Sequence, residues 1–260
     1  MGEDNYQMHG TILDAGLGHP TIPWMPQAQA VPNCPPGLEY LASVDCFHIR
    51  QQVELLEAFT GFEQANKYEI LNSINQRVYF AVERTDCCTR NCCGNKRPFE
   101  ISLYDAYQRE VLKLKRYLRA DSCFCPCCLQ KMEVFTASEQ MLGCVKQTWS
   151  VCKPHYNIRD SQENVVMTMQ GPCFTSSCCG DVNFEILDKT GTTRLGLLTK
   201  QFSGVIREVF TDADHFMISF PIDLDVATKA TLLGAAFLVD FMFFEKNSQG
   251  KSGDGIGMLG

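Results

Sequence analysis

The sequence predicts a mainly β protein, a closed antiparallel barrel around a hydrophobic C-terminal helix. From Lys67 onwards the chain breaks into short runs rich in Val, Ile, Phe and Tyr, separated by turn residues. Two of these runs resemble each other. Tyr68-Glu69-Ile70-Leu71 returns as Phe184-Glu185-Ile186-Leu187, followed a few residues on by Arg77 and Arg194 respectively. Two similar antiparallel halves fit one sheet closed by duplication, which leaves no exposed edge. The third observation is "KATLLGAAFLVDFMFFEK", apolar on every side from Leu232 to Phe244 apart from Asp240. With 260 residues, 45% of them apolar, the chain can bury a substantial core.

Six of the 11 prolines precede residue 37, so residues 1–36 read as an extended, disordered arm rather than a helix or a central strand. Pro20–Pro23 and Pro23–Pro26 have the PxxP spacing that an SH3 or WW domain can hold; a solvated linker reads the same way. The barrel domain is expected over 37–246, with a short flexible tail at 247–260. In "SVDCFHIRQQVELLEAFTG", Ile49, Val53 and Leu56 sit at helical spacing, with Ser43 or Asp45 as cap and Gly61 as stop, which predicts a helix. "KYEILNSINQRVYFAVE" reads as two strands around Asn-Ser, and "NFEILDKTGTTRLGLL" as two around Thr-Gly-Thr. The last helix is placed at 230–244. A helix apolar all round is either a membrane span or a core, and a span needs about 20 residues. Asp240 would cost roughly 2.5–3.5 kcal/mol within a bilayer. Both facts favour the core.

A net charge of −7 argues against nucleic acid as a partner bound through the overall field. "MGEDNYQMHG" is acidic and has no apolar run, so no secretory signal is expected. Tyr6 stands where a myristoylation motif wants Ser or Thr. In a reducing cytosol the 15 cysteines are not expected to form a stable disulfide framework. Two chemistries remain for them. Cys125 and Cys128 form a C-x2-C pair and Cys88 and Cys92 a C-x3-C pair, which allows a tetrathiolate zinc site and, with it, a zinc-dependent DNA-binding factor. Alternatively, "LKLKRYLRADSCFCPCCLQKM" sets Lys113, Lys115, Arg116 and Arg119 before Cys123, Cys125, Cys127 and Cys128, with Lys131 after them. Clustered thiols beside a basic membrane patch suit covalent palmitate. One acyl chain anchors only marginally at about 0.8 kcal/mol per buried methylene, so several chains or adjacent cations are needed.

"DADHFMISFPIDLD" carries Asp212, Asp214, Asp223 and Asp225 but fails as an EF-hand loop, with Met217 where the turn needs Gly. Phe216, Ile218 and Phe220 alternate with His215, Met217 and Ser219 as in a strand. Low-affinity calcium through Asp212 and Asp214 stays open, in the ~10⁻⁴–10⁻³ M range of loose sites. No P-loop, G-x-S-x-G, H-E-x-x-H or dinucleotide fingerprint occurs, so nothing points to a covalent-bond catalyst.

Taken in order, "CPPGLEYL", "NKYEILNSINQRVYFAVE", "DCCTRNCCG", "SCFCPCCLQ", "GPCFTSSCCGDVNFEI", "FTDADHFMISFPIDLDV" and "LLGAAFLVDFMFFE" resemble the phospholipid scramblases over roughly residues 34–246. The resemblance implies a Tubby-like barrel around the C-terminal helix, the same helix being also described as a type II span. It implies calcium-dependent, ATP-independent movement of phospholipids between leaflets at the cytoplasmic face of the plasma membrane, with a cytosolic or nuclear pool when unacylated. It carries calcium onto Asp212, Asp214, Phe216, Ile218, Phe220 and Asp223, and palmitate onto Cys123, Cys125, Cys127 and Cys128. "GLLTKQFSG", in the place of the family's nuclear-import segment, offers the single cation Lys200. The expected partners are membrane phospholipids, SH3- or WW-type domains on the Pro segment, and further copies of the chain, since one helix with one aspartate offers a headgroup little path. A palmitoyl-anchored scaffold without lipid transport is the alternative from a different class.

Overall fold

A computed structural model describes residues 22–32, 34–52, 66–84, 97–119, 129–173, 181–201 and 215–244. Twelve strands alternate in direction: β1 Cys46–Gln52, β2 Lys67–Leu71, β3 Arg77–Arg84, β4 Phe99–Tyr104, β5 Glu110–Arg116, β6 Lys131–Thr136, β7 Met141–Thr148, β8 His155–Asp160, β9 Val165–Gln170, β10 Val182–Asp188, β11 Arg194–Gln201 and β12 His215–Ser219. Each pairs with its sequence neighbour, and β1 pairs with β12 to close the barrel. The expected closed antiparallel sheet is present, and both hairpins read from the sequence stand where they were placed.

The duplication is part of a larger regularity. In all five tight hairpins the register slips by one residue just inside the turn, between Ile70/Leu71, Leu103/Tyr104, Val134/Phe135, Ile158/Arg159 and Ile186/Leu187. The residues left over are Val78, Val111, Leu142, Val166 and Leu195, apolar in every case. Each turn starts on a short polar side chain, Asn72, Asp105, Thr136, Asp160 or Asp188, whose oxygen accepts backbone N–H groups across the turn. Bulges of this kind bend and twist a strand, and their repetition curls the sheet into a barrel.

Helix α1, Val226–Val239, runs through the barrel and continues as one π turn, Asp240–Phe244. Asp225 caps it, its side chain accepting the Thr228 N–H at 2.9 Å. From Thr228 to Val239 every residue is buried. Phe237 meets Tyr68 edge-on and Phe241 stacks on Phe99 at 4.0 Å between ring centres. Gly234 allows the approach to β6, since a Cβ there would lie 2.9 Å from Val134 Cγ2.

Two expectations need correction. The helix predicted over "SVDCFHIRQQVELLEAFTG" is instead strand β1 as far as Gln52, and residues 53–61 lie outside the described residues. Phe47 and Ile49 are buried while Cys46, His48 and Arg50 are only half-buried, a period of two. Ladders to β2 and β12 on either side override the weak helical spacing. The solvated arm also ends earlier than residue 36. Pro23 O accepts from Arg77 N, Met25 N donates to Arg77 O, both at 2.8 Å, and the Trp24 ring lies 5.0 Å from the Arg77 guanidinium. Proline bars helix, but it does not bar extended chain from lying along a barrel.

Candidate functional site at the wide-loop end of the barrel

The two ends of the barrel differ. One holds the five tight turns and a 3-10 helix, Glu39–Ser43. At the other lie the strand ends that flank segments 53–65, 85–96, 120–128, 174–180 and 202–214, and the point where α1 leaves the barrel. The proposed acylation cysteines Cys123, Cys125, Cys127 and Cys128, the zinc alternative Cys88 and Cys92, and the carboxylates Asp212 and Asp214 lie outside the described residues, in segments whose flanking strands end here.

The neck of the 120–128 segment is well defined. Arg116 Nε donates to Gln130 Oε1 at 3.0 Å, Gln130 Nε2 donates to Arg119 O at 2.9 Å, and an Arg119 guanidinium N–H donates to Leu129 O at 3.2 Å. Tyr117 and Leu118 are exposed beside it, as are Trp149 and Val151 in the β7–β8 loop at the same end. An open cleft of about 360 Å³, lined by Thr148, Trp149, Ser150, Lys153, His155 and Gln170, adjoins that loop.

The expected basic patch divides between the two faces of the sheet. Lys113 and Lys115 point outward and both donate to Glu139, at 2.6 and 2.8 Å. These two ammonium groups hold the Glu139 carboxyl at about 2, well below its ordinary 4.5. Lys131 reaches Glu133 and Glu163, both at 2.9 Å. Arg116 is buried, its guanidinium 5.6 Å from the Phe99 ring centre. Arg119 sits at the neck.

Of the residues carried over as a calcium set, four lie among the described residues. Phe216, Ile218 and Phe220 are buried in the core. Asp223 is exposed just beyond the tight-turn end of β12. Among the described residues no three His, Cys, Asp or Glu side chains gather where a metal ion could sit. Pro23, shared by both PxxP spacings, is engaged with β3 through its carbonyl, and Pro20 lies outside the described residues.

Inside this mouth lies a charged layer that the sequence did not announce. Arg97 donates through Nε and a terminal nitrogen to Glu83 Oε1, at 3.0 and 2.8 Å, and both residues are buried. The Arg97 guanidinium also lies 5.0 Å from the Phe241 ring centre. Lys200 Nζ is 3.9 Å from Asp240 Oδ1 and 4.1 Å from the centre of the Phe216 ring. Asp240, the one charge in the apolar run, thus faces a cation from β11 across the barrel. Lys200, the lone cation of "GLLTKQFSG", is buried. The sequence does mark Asp240 as the one charge in the apolar run, whereas the π turn that begins there, a feature frequent at functional sites, shows only in the backbone.

A barrel of twelve strands threaded by an apolar helix, with its charged mouth at the wide-loop end, defines the structural class. A family model described as Scramblase matches residues 25–246. The chain belongs to the Scramblase family. It is 52% identical over 235 residues to phospholipid scramblase 1 of Homo sapiens, covering 90% of this chain and 74% of that protein. It is 50% identical over 232 residues to phospholipid scramblase 2 of Bos taurus, covering 88% of this chain and 79% of that protein. An X-ray structure of a protein from Arabidopsis thaliana overlaps 78% of this chain and 96% of its own, at 12% identity and a TM-score of 0.39.

Proposed function

We propose that this protein is a phospholipid scramblase that works from the cytoplasmic face of the plasma membrane, held there by its wide-loop end. Identity of about half over nine-tenths of the chain to a protein named for that activity supports the reading. The observation that carries the orientation is the gathering at one end of exposed Tyr117, Leu118, Trp149 and Val151 with the neck of the "CFCPCC" segment. Exposed aromatic and aliphatic side chains next to acylated thiols would enter the interfacial region of a bilayer together. Palmitate on Cys123, Cys125, Cys127 and Cys128, and low-affinity calcium on Asp212 and Asp214, belong to this reading. The charged layer at the mouth would then lie nearest the lipid headgroups.

The test is reconstitution of the purified full-length chain into vesicles carrying a fluorescent phospholipid, with an impermeant quencher added outside. Fluorescence protected in the inner leaflet should be lost, and lost faster with calcium than with chelator. Retention of the protected fraction at high protein-to-lipid ratio, with and without calcium, would sink direct transport.

Burial of α1 favours a second reading. A helix packed inside the barrel is unavailable as a span unless the core opens, so a palmitoyl-anchored scaffold that moves no lipid uses the fold as it stands. Serine at all four cluster cysteines should release such a protein to the cytosol. Continued resistance to carbonate extraction would make a spanning segment the anchor instead. SH3- or WW-type partners on the proline segment, and assembly with further copies, would be read out by pull-down and by light scattering on the same material.

A further inference from the structure

The ladder between β8 and β9 pairs His155 with Gln170 and extends into a hydrogen bond from Gly171 N to Pro154 O at 2.8 Å. Cys152 and Cys173 lie two residues beyond this last bonded pair, in the bends where the chain enters β8 and leaves β9, and the two thiols are near enough to perturb one another. Both are exposed. The Pro154–Gly171 bond holds the two segments side by side just before the cysteines, and a disulfide closes without moving the backbone where the Cα atoms are about 4.4–6.8 Å apart. The other described cysteines are less accessible: Cys34 and Cys46 are half-buried and Cys144 is buried.

We infer that Cys152 and Cys173 form a redox modification site, a dithiol that closes to a disulfide and reopens. The oxidant is a small-molecule disulfide of the glutathione type. One cysteine thiolate attacks a sulfur of that molecule, breaking its S–S bond and expelling one thiolate. The second cysteine thiolate attacks the resulting mixed disulfide at the protein sulfur and expels the other. The protein dithiol loses two electrons and two protons, and both leave on the two small thiols released. Excess small thiol runs the same steps backwards. Such reversible pairs are the form in which cytosolic disulfides usually occur.

The closed bond ties the β7–β8 loop, with exposed Trp149 and Val151, to the end of β9. Hydrogen bonding to Cys173, then burial, holds the Cys152 thiol above its ordinary pKa, opposed by Lys153 next to it. The thiolate is therefore scarce at neutral pH, and closure should quicken as pH rises. The site rests on the adjacency of the two thiols at the end of the β8–β9 ladder and is independent of whether the protein moves lipid.

The test uses the reduced full-length protein equilibrated in glutathione buffers from strongly reducing to strongly oxidising. Free thiols are then alkylated and the digest searched by mass spectrometry for a peptide joining Cys152 to Cys173. The joined peptide should appear as the disulfide fraction rises and vanish with excess thiol. It should be lost in Cys152→Ser and in Cys173→Ser but kept when Cys178 and Cys179 are both serine, which removes the nearest competitors in sequence. Absence of the link at every ratio, or oxidation that still protects Cys152 from alkylation in Cys173→Ser by pairing it with another protein cysteine, overturns the assignment. Wild-type protein gives an independent reading through alkylation: oxidation should protect Cys152 and Cys173 together and to the same extent. Protection of one without the other would also overturn it.

Discussion

At the scale of single residues, the informative side chains are charged ones in apolar company. The Arg97–Glu83 pair is buried, with two hydrogen bonds to one carboxylate oxygen. Removing one partner of such a pair strands the other charge, so Arg97→Met should cost about 3–5 kcal/mol. A urea midpoint unchanged from wild type would show that the pair contributes nothing. On the outer face, Glu139 carries its depressed pKa under Lys113 and Lys115. A folded-state pKa of about 2, below the ordinary 4.5, means that stabilisation is complete above pH 4.5 and is lost as pH falls towards 2. Glu139→Gln should flatten that part of an acid unfolding profile while leaving the neutral part nearly parallel to wild type. An identical slope in both proteins between those pH values would dismiss the effect.

At the scale of elements, the hairpins and the core helix make separate predictions. Asn75, Gln108, Glu139 and Glu163 occupy the left-handed region at their turns, with φ from 58° to 63°, where the equivalent residue of the fifth turn is Gly191 at 74°. A side chain at such φ is strained. Gln108→Gly should therefore raise the melting temperature, with a gain of up to about 1 kcal/mol. A fall would mean that the turn uses the glutamine side chain. On α1, buried Lys229 donates to the carbonyls of Leu41, Val44 and Ile222 at 2.9, 2.8 and 2.7 Å. Burial pushes this ammonium below its ordinary pKa, while Asp223, Asp45 and Asp225 pull it back. Lys229 joins the helix to the cap at the tight-turn end. Lys229→Met leaves the buried Leu41 and Val44 carbonyls without this donor and should cost about 1–3 kcal/mol for each acceptor left unsatisfied. Hydrogen exchange in 39–45 would rise along with that loss, and undisturbed protection there would count against the joint.

What could be read from the sequence divides along the same line. Hairpins around Asn-Ser and Thr-Gly-Thr declare themselves because turn and alternation are local. The apolar run from Leu232 declares itself because its composition is extreme. The other three hairpins were legible in principle: a short polar residue followed six positions later by Val or Leu recurs at 72, 105, 136 and 160, and at seven positions from 188. Strand β1 was not legible, because its fate is set by partners about 20 and 170 residues away in the chain rather than by its own period. Nor were the pairs of Glu83, Lys200 and Lys229, since no spacing rule links a lysine to a carbonyl 188 residues earlier.

At the scale of the whole molecule, polarity between the ends is the property that matters for function. Replacing Trp149 and Val151 together by serine should weaken binding of the full-length protein to anionic vesicles in a flotation assay. The matching change at the tight-turn end, Ile74 and Tyr107 to serine, should leave it unchanged. Equal losses from both pairs would mean that the barrel does not meet the bilayer by one end.

Placement of the core helix after the last strand has a consequence for how the protein is made. A ribosome delivers all twelve strands before the segment that fills them, and Cys46 cannot meet Ser219 until most of the chain has emerged. The early strands therefore wait, with inward-facing Phe47, Ile49 and Ile70 uncovered, for a partner not yet synthesised. Such a nascent chain has every reason to recruit a chaperone. Stalled chains ending before residue 226 should remain protease-sensitive, and those extended far enough to release Phe244 from the exit tunnel should become resistant in a single step.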